Sequence, residues 1–97
     1  MALRILWTQT AVRERNAILD FFRNRNGSPR YSQELLRHFR DSLRLAANHD
    51  LLGKPTDAPG VRCLFVVDYS LFYSARSGEL VVLSVWDNRR DPEERPY

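Results

Sequence analysis

The sequence predicts an α+β domain of element order βααβββ, with an antiparallel helix hairpin packed on one face of a small, mainly antiparallel sheet. Three observations predict it. Residues 2–7 alternate apolar and polar positions with a period of two; two long segments then carry apolar stripes at helical spacing; and three β-rich runs close the chain. At 97 residues there is room for one core, so the expected unit is a single domain over 1–97, with a short charged tail from about residue 88.

The first strand runs from Ala2 to Trp7, where Leu3, Ile5 and Trp7 alternate with Arg4 and Leu6. Thr8 is placed to cap a helix from Gln9 to about Arg25, whose stripe is Ala11, Val12, Ile18, Leu19 and Phe22, with Arg13, Glu14, Asn16, Asp20 and Arg23 facing elsewhere. Asn26-Gly27 ends that helix. Ser28-Pro29 opens the next, with serine as N-cap and proline at the first helical position, where its missing N–H costs nothing. The second helix reaches about Asn48 on the stripe Leu35, Leu36, Phe39, Leu43, Ala46 and Ala47. Gly53 to Gly60 reads as a connecting loop. Three strands follow as a meander: Val61 to Asp68, Leu71 to Arg76 and Leu80 to Asp87. Ser77-Gly78 supplies a tight turn, and a turn or bulge is expected at Asp68-Tyr69-Ser70. Two helices cover one sheet face, which leaves the other partly open to solvent or to a partner, and function is expected there.

Composition narrows the function. Apolar residues are 43% and charged residues 28%, the balance of a globular protein. No run is apolar enough for a membrane span, and Met1-Ala2-Leu3-Arg4 leads into too short an apolar stretch for a signal peptide, so a cytoplasmic protein without membrane partners is expected. Cys63 is the one cysteine and reads as a small buried apolar residue. Ligands for a metal are not clustered, glycines form no phosphate-cradling loop, and no serine or cysteine has a base at motif spacing. No cofactor is expected. Of fifteen cations fourteen are arginine, with Lys54 alone, and net charge is +3; arginine's planar fork suits phosphate and carboxylate, so an anionic partner and an arginine-rich solvated surface are the two readings. The aromatics do not interleave with arginine as in a single-strand-binding platform, which makes a generic nucleic-acid module a distant alternative.

The element order, Gly60-Val61-Arg62 at the start of the second strand, the Tyr69 and Phe72-Tyr73 that follow, and the closing Val85-Trp86-Asp87-Asn88-Arg89-Arg90-Asp91-Pro92 together resemble the RelE/ParE superfamily of bacterial toxins. The resemblance covers almost the whole chain. It implies a toxin of a type II toxin-antitoxin system, held inactive by a cognate antitoxin with which it forms a hetero-oligomer. RelE-like members cut mRNA in the ribosomal A site without a metal, with protein groups to move protons and to stabilise the crowded phosphate. ParE-like members share the fold and inhibit DNA gyrase by binding it.

The resemblance sets Arg62 where RelE-like nucleases hold the scissile phosphate; its structural alternative is a strand arginine paired with Asp68 or Asp87. Arg89 and Arg90 are placed to reach phosphate or an acidic surface, or else to pair with Glu93 and Glu94. Target-binding candidates are therefore Arg62, Arg89 and Arg90. For a nuclease, the catalytic candidates are Arg62, Tyr73 and Arg89, with Tyr73 an acid on the open face or, alternatively, packed against Val82 or Ser84. His38, His49, Glu34 and Asp41 read as helix surface charges. The chain lacks the lysine pair and the histidine-tyrosine ending of the nucleases. The preferred expectation is thus a ParE-like, non-catalytic gyrase inhibitor; the alternatives are a ribosome-dependent mRNA interferase and a non-toxic domain that keeps only antitoxin binding.

Overall fold

The computed structural model describes residues 2–97. In chain order the elements are β1 (Arg4–Trp7), α1 (Gln9–Asn26), α2 (Arg30–Asn48), β2 (Lys54–Pro55), β3 (Arg62–Val66), β4 (Tyr69–Arg76) and β5 (Glu79–Asp87). They form one five-stranded sheet of order β1-β5-β4-β3-β2, in which β1 is parallel to β5 and every other pair is antiparallel. The helix ends follow the local chemistry. Thr8 Oγ1 accepts the Ala11 amide at 3.1 Å, and Gly27, at φ 66°, donates its amide to the Arg23 carbonyl, the left-handed stop that a side chain would strain. The second helix was expected to have Ser28 as its cap and Pro29 as its first residue; instead Pro29 stands at the cap position and the helix begins at Arg30, whose amide still donates to Ser28 Oγ at 3.2 Å.

Both helices pack on one sheet face. Leu35, Phe39, Leu43, Ala46 and Ala47 of α2 and Ala11 and Leu19 of α1 are buried there against Leu64, Val66, Tyr69, Leu71, Tyr73, Leu80, Val82 and Val85. The two helices are tied by Ser32, whose buried hydroxyl donates to the Leu19 carbonyl at 2.6 Å. Registry breaks once: Phe72 pairs with Ser84 but Tyr73 with Val82, so Leu83 is the extra residue of a β-bulge. A bulge leaves backbone groups without ladder partners, and α1 supplies them. Thr8 Oγ1 donates to the Leu83 carbonyl at 3.1 Å, while a Glu14 carboxylate oxygen accepts the Val85 amide at 3.0 Å and the Ser84 hydroxyl at 2.9 Å. Glu14 was expected to face elsewhere; the bulge turns it inward.

Three further differences from the sequence expectation have physical causes. The Gly53–Gly60 segment is not wholly loop, because Lys54 and Pro55 add a two-residue edge strand to β3, as short as the proline's missing amide permits. The turn between β3 and β4 falls on Val67-Asp68, earlier than expected, and places Val67 at φ 56°, a conformation β-branched residues disfavour. Ser77 and Gly78, at φ 53° and 78°, make the expected tight turn. Finally, the sheet face away from the helices is not left bare. The tail after β5 returns across it, so that Tyr97 packs on Phe72 at 5.2 Å and Arg90 lies 4.3 Å over the Trp86 ring, covering a second cluster of Cys63, Phe72 and Trp86.

Candidate functional site

A concavity of about 470 Å³ lies not on the face away from the helices but along α1, where the helix overhangs the start of β4 and the end of β5. Its geometry follows from the sequence of α1. Residues 14, 18, 21, 22 and 25 fall on one side of the helix at spacings of three and four, so Glu14, Ile18, Phe21, Phe22 and Arg25 form one wall. Tyr69 and Val85 supply an opposite apolar surface, and Asp87, Arg89 and Arg90 form the rim. Phe21 stands edge-on to Phe22 at 5.1 Å, and Phe22 edge-on to Tyr31 at 4.7 Å. Phe21 remains 56% exposed, an aromatic ring held open to solvent beside a groove.

Charge is fixed at the rim. Arg89 grips Asp87 in a bidentate pair, Nε and Nη2 each 2.9 Å from a carboxylate oxygen, and its amide donates to the same carboxylate. The hydrogen bonds from Arg89 hold the Asp87 carboxyl below the ordinary carboxylate range, and the guanidinium of Arg89 is correspondingly pushed up. Arg89 also reaches the Tyr69 hydroxyl at 3.3 Å, and the tyrosine is raised above its ordinary value chiefly by burial. Arg25 sits 6.0 Å from the Phe21 ring centre. The groove thus offers an apolar floor with arginine at its mouth, suited to a segment that carries apolar residues on one side and carboxylates beside them.

Of the residues singled out from sequence, Arg62 and Tyr73 come together, lining one concavity of about 390 Å³ beside the loop after α2, while Arg89 and Arg90 lie elsewhere. Antiparallel pairing sets Arg62 directly opposite Tyr73, on the side of the sheet the helices cover. Arg62 pairs with neither Asp68 nor Asp87; its Nη1 donates to the carbonyls of Gly53 at 2.7 Å and Leu51 at 3.4 Å. Tyr73 does not lie on the open face. It is 1% exposed, packs in the helix-side core across from Val82, donates to the Asp50 carbonyl at 2.8 Å and accepts the Gly53 amide at 2.9 Å. Burial raises its hydroxyl above the ordinary value. Arg89 stands at the other end of the sheet, beyond Asp87, so at least about 13 Å of strand separates it from Arg62. Arg90 turns to the opposite face, onto Trp86, with only a long contact to Glu94 at 3.5 Å.

Cys63 is buried, and burial pushes its thiol up. Among the described residues no group of three or more histidine, cysteine or carboxylate side chains is placed to hold a metal ion. No described helix is long and apolar enough to cross a membrane. The sequence reading missed the groove because it ranked Phe22 with the buried stripe and left Phe21 unassigned. An adjacent aromatic pair flanking a helical stripe, with only one ring required by the core, is the signal that points to it.

Comparison with known proteins bears on the fold and the family. A family model described as the ParE toxin of type II toxin-antitoxin systems, parDE, matches residues 5–92. No curated protein matches the chain. Among solved structures, a chain of a chromosomal ParDE toxin-antitoxin system from P. aeruginosa is similar with a TM-score of 0.74 at 20% identity, over 89% of this chain and 96% of that one. At that identity the likeness shows a shared fold.

Proposed function

Because the chain belongs to the ParE toxin family of type II toxin-antitoxin systems, we propose that its groove along α1 is where a cognate antitoxin neutralises it, and that the free chain acts by binding DNA gyrase rather than by cutting RNA. The observation that carries the antitoxin reading is the half-exposed Phe21 beside Phe22, Tyr69 and Val85, rimmed by Arg25 and Arg89. From Glu14 to Arg25 the wall is about 16 Å long, which matches three turns of a partner helix. An antitoxin tail disordered on its own would fold there, placing apolar side chains at i, i+3 and i+4 in the groove and carboxylates against the arginines.

The preference for binding over cleavage is supported by how the chain's own groups are engaged. General acid or base work needs a group within hydrogen-bond reach of the reacting oxygens. Tyr73 is enclosed with both its hydrogen bonds made, Arg62 holds the loop carbonyls that follow α2, and Arg89 holds Asp87. Arg62 and Tyr73 line one concavity, but each is tied there to loop backbone groups, and Arg89 stands at the far end of the sheet. Binding of a large acidic surface, by contrast, needs only exposed cations and apolar anchors on a rigid frame.

Co-expression with the product of a neighbouring short open reading frame tests the antitoxin half of this reading. The expected result is a complex that co-purifies and relief of growth arrest. Failure of the two chains to co-purify, with arrest unchanged, would overturn it.

A further inference from the structure

The outer surface of α2 sorts its charges by sign. With 100° between successive residues, the buried stripe of Leu35, Phe39, Leu43 and Ala46 occupies one side of the helix, and the opposite side divides into two strips. One strip holds Arg30, Gln33, Arg37, Arg40, Arg44 and Asn48 within an arc of about 80°, all exposed. The other holds Glu34, Asp41 and the exposed Leu45. Cations and carboxylates are therefore sorted to the two sides, not interspersed as they would be on a helix surface built only for solvation. Among the described residues, Arg30, Arg37 and Arg40 make no ion pair; Arg44 alone reaches across to Asp41, at 3.9 Å.

We propose that this strip of α2 is a binding face for the phosphate backbone of duplex DNA. The proposal stands apart from the groove, and it does not depend on which target the toxin takes. Three features fit the strip to DNA, and the second of them tells against an acidic protein. Arginine's fork matches phosphate oxygens in a bidentate way, and glutamine and asparagine add the neutral donors common in backbone contacts. A protein interface centres on apolar or aromatic anchors, yet the strip has none; the exposed Leu45 is on the carboxylate side. The row from Arg30 to Arg40 is about 15 Å long, and over that length of duplex axis each strand carries about four phosphates, one per ~3.4 Å. The basic pI of about 9.5 and the net charge of +3 act in the same direction at long range.

The test is the salt dependence of binding to a fluorescein-labelled duplex of mixed sequence, followed by anisotropy. Three free arginines on the backbone predict a slope of log K against log salt near about −2.7, which is roughly a 40-fold loss of affinity between 50 and 200 mM. Arg37→Gln with Arg40→Gln should reduce the slope to about −0.9 and the loss to about threefold, with an unchanged denaturation midpoint because both side chains are exposed. Arg76→Gln removes an exposed arginine from a different surface and should leave the slope near its original value. The proposal is overturned if the duplex does not bind at 50 mM salt, if the double variant keeps the full slope, or if Arg76→Gln lowers it as much. It is equally overturned if poly-glutamate binds through Arg37 and Arg40 and the duplex does not, since the face would then belong to an acidic polypeptide.

Discussion

Replacing Phe21 by alanine separates a docking ring from a structural one. The ring is 56% exposed in the free protein. For a side chain of roughly 200 Å² that leaves about 110 Å² for a partner to cover, worth about 2.8 kcal/mol at ~25 cal/mol per Å². Alanine retains part of this area, so the expected loss on binding is about 2 kcal/mol, or ~30-fold in Kd. The effect on folding should be small, within about 0.5 kcal/mol, because the ring's inner contact is mainly the edge-on pair with Phe22. Leu45 is the internal control: it is exposed to a similar degree, 59%, but stands on α2 away from the groove. Calorimetric titration of each variant with the cognate antitoxin, beside urea denaturation of each alone, reads both quantities. A Kd for Phe21→Ala within threefold of the parent, or equal losses for Phe21→Ala and Leu45→Ala, would refute the placement of the antitoxin in this groove.

Three other outcomes follow from the same geometry. Phe39 is fully buried and edge-on to Tyr69 at 5.7 Å, so Phe39→Ala should cost about 3–5 kcal/mol in urea denaturation while the exposed Arg37→Ala changes little. Gly53→Ala should destabilise the fold by about 1–3 kcal/mol and weaken protection of the loop after α2 in hydrogen exchange, because an added methyl would meet the Tyr73 ring at 2.7 Å and the Cys63 carbonyl at 2.9 Å. Asp87 should titrate below the ordinary aspartate value of 3.8, and Arg89→Ala should return it toward that value in a carboxyl NMR titration. A carboxyl whose pKa is depressed by folding contributes stability that is fully present above the unfolded value. The contribution is lost as pH falls through the depressed value, so the difference between parent and Arg89→Ala should vanish in strong acid.

The order of elements was legible because each rests on local chemistry. The period of two in Leu3, Ile5 and Trp7, the stripe from Leu35 to Ala47, the Thr8 cap, the Gly27 stop and the Ser77-Gly78 turn all act within a few residues of themselves. What was not legible depends on pairing between distant segments. The bulge at Leu83 exists only in the register of β4 with β5, and Glu14 turns inward only because that bulge frees the Val85 amide. Val67 occupies its turn against its own preference, since the strands on either side fix the position. The site was read least well. Arg62 and Tyr73 were placed correctly along their strands, but the face they share is set by pairing that their own alternation left undecided. The tail, read as a charged extension, returns to the sheet because Tyr97 finds Phe72 from 25 residues away in sequence.

The most direct test of the central claim is a supercoiling assay with purified gyrase, run beside translating ribosomes whose mRNA is mapped for A-site cuts. The account predicts that the chain inhibits supercoiling, that stoichiometric antitoxin restores it, and that mRNA stays intact. Arg89→Ala with Arg90→Ala should weaken inhibition with the fold unchanged, since both side chains are more than half exposed. Clean A-site cleavage with supercoiling untouched would contradict the account, and Arg62→Ala would then be expected to reduce cleavage by about 10²–10³.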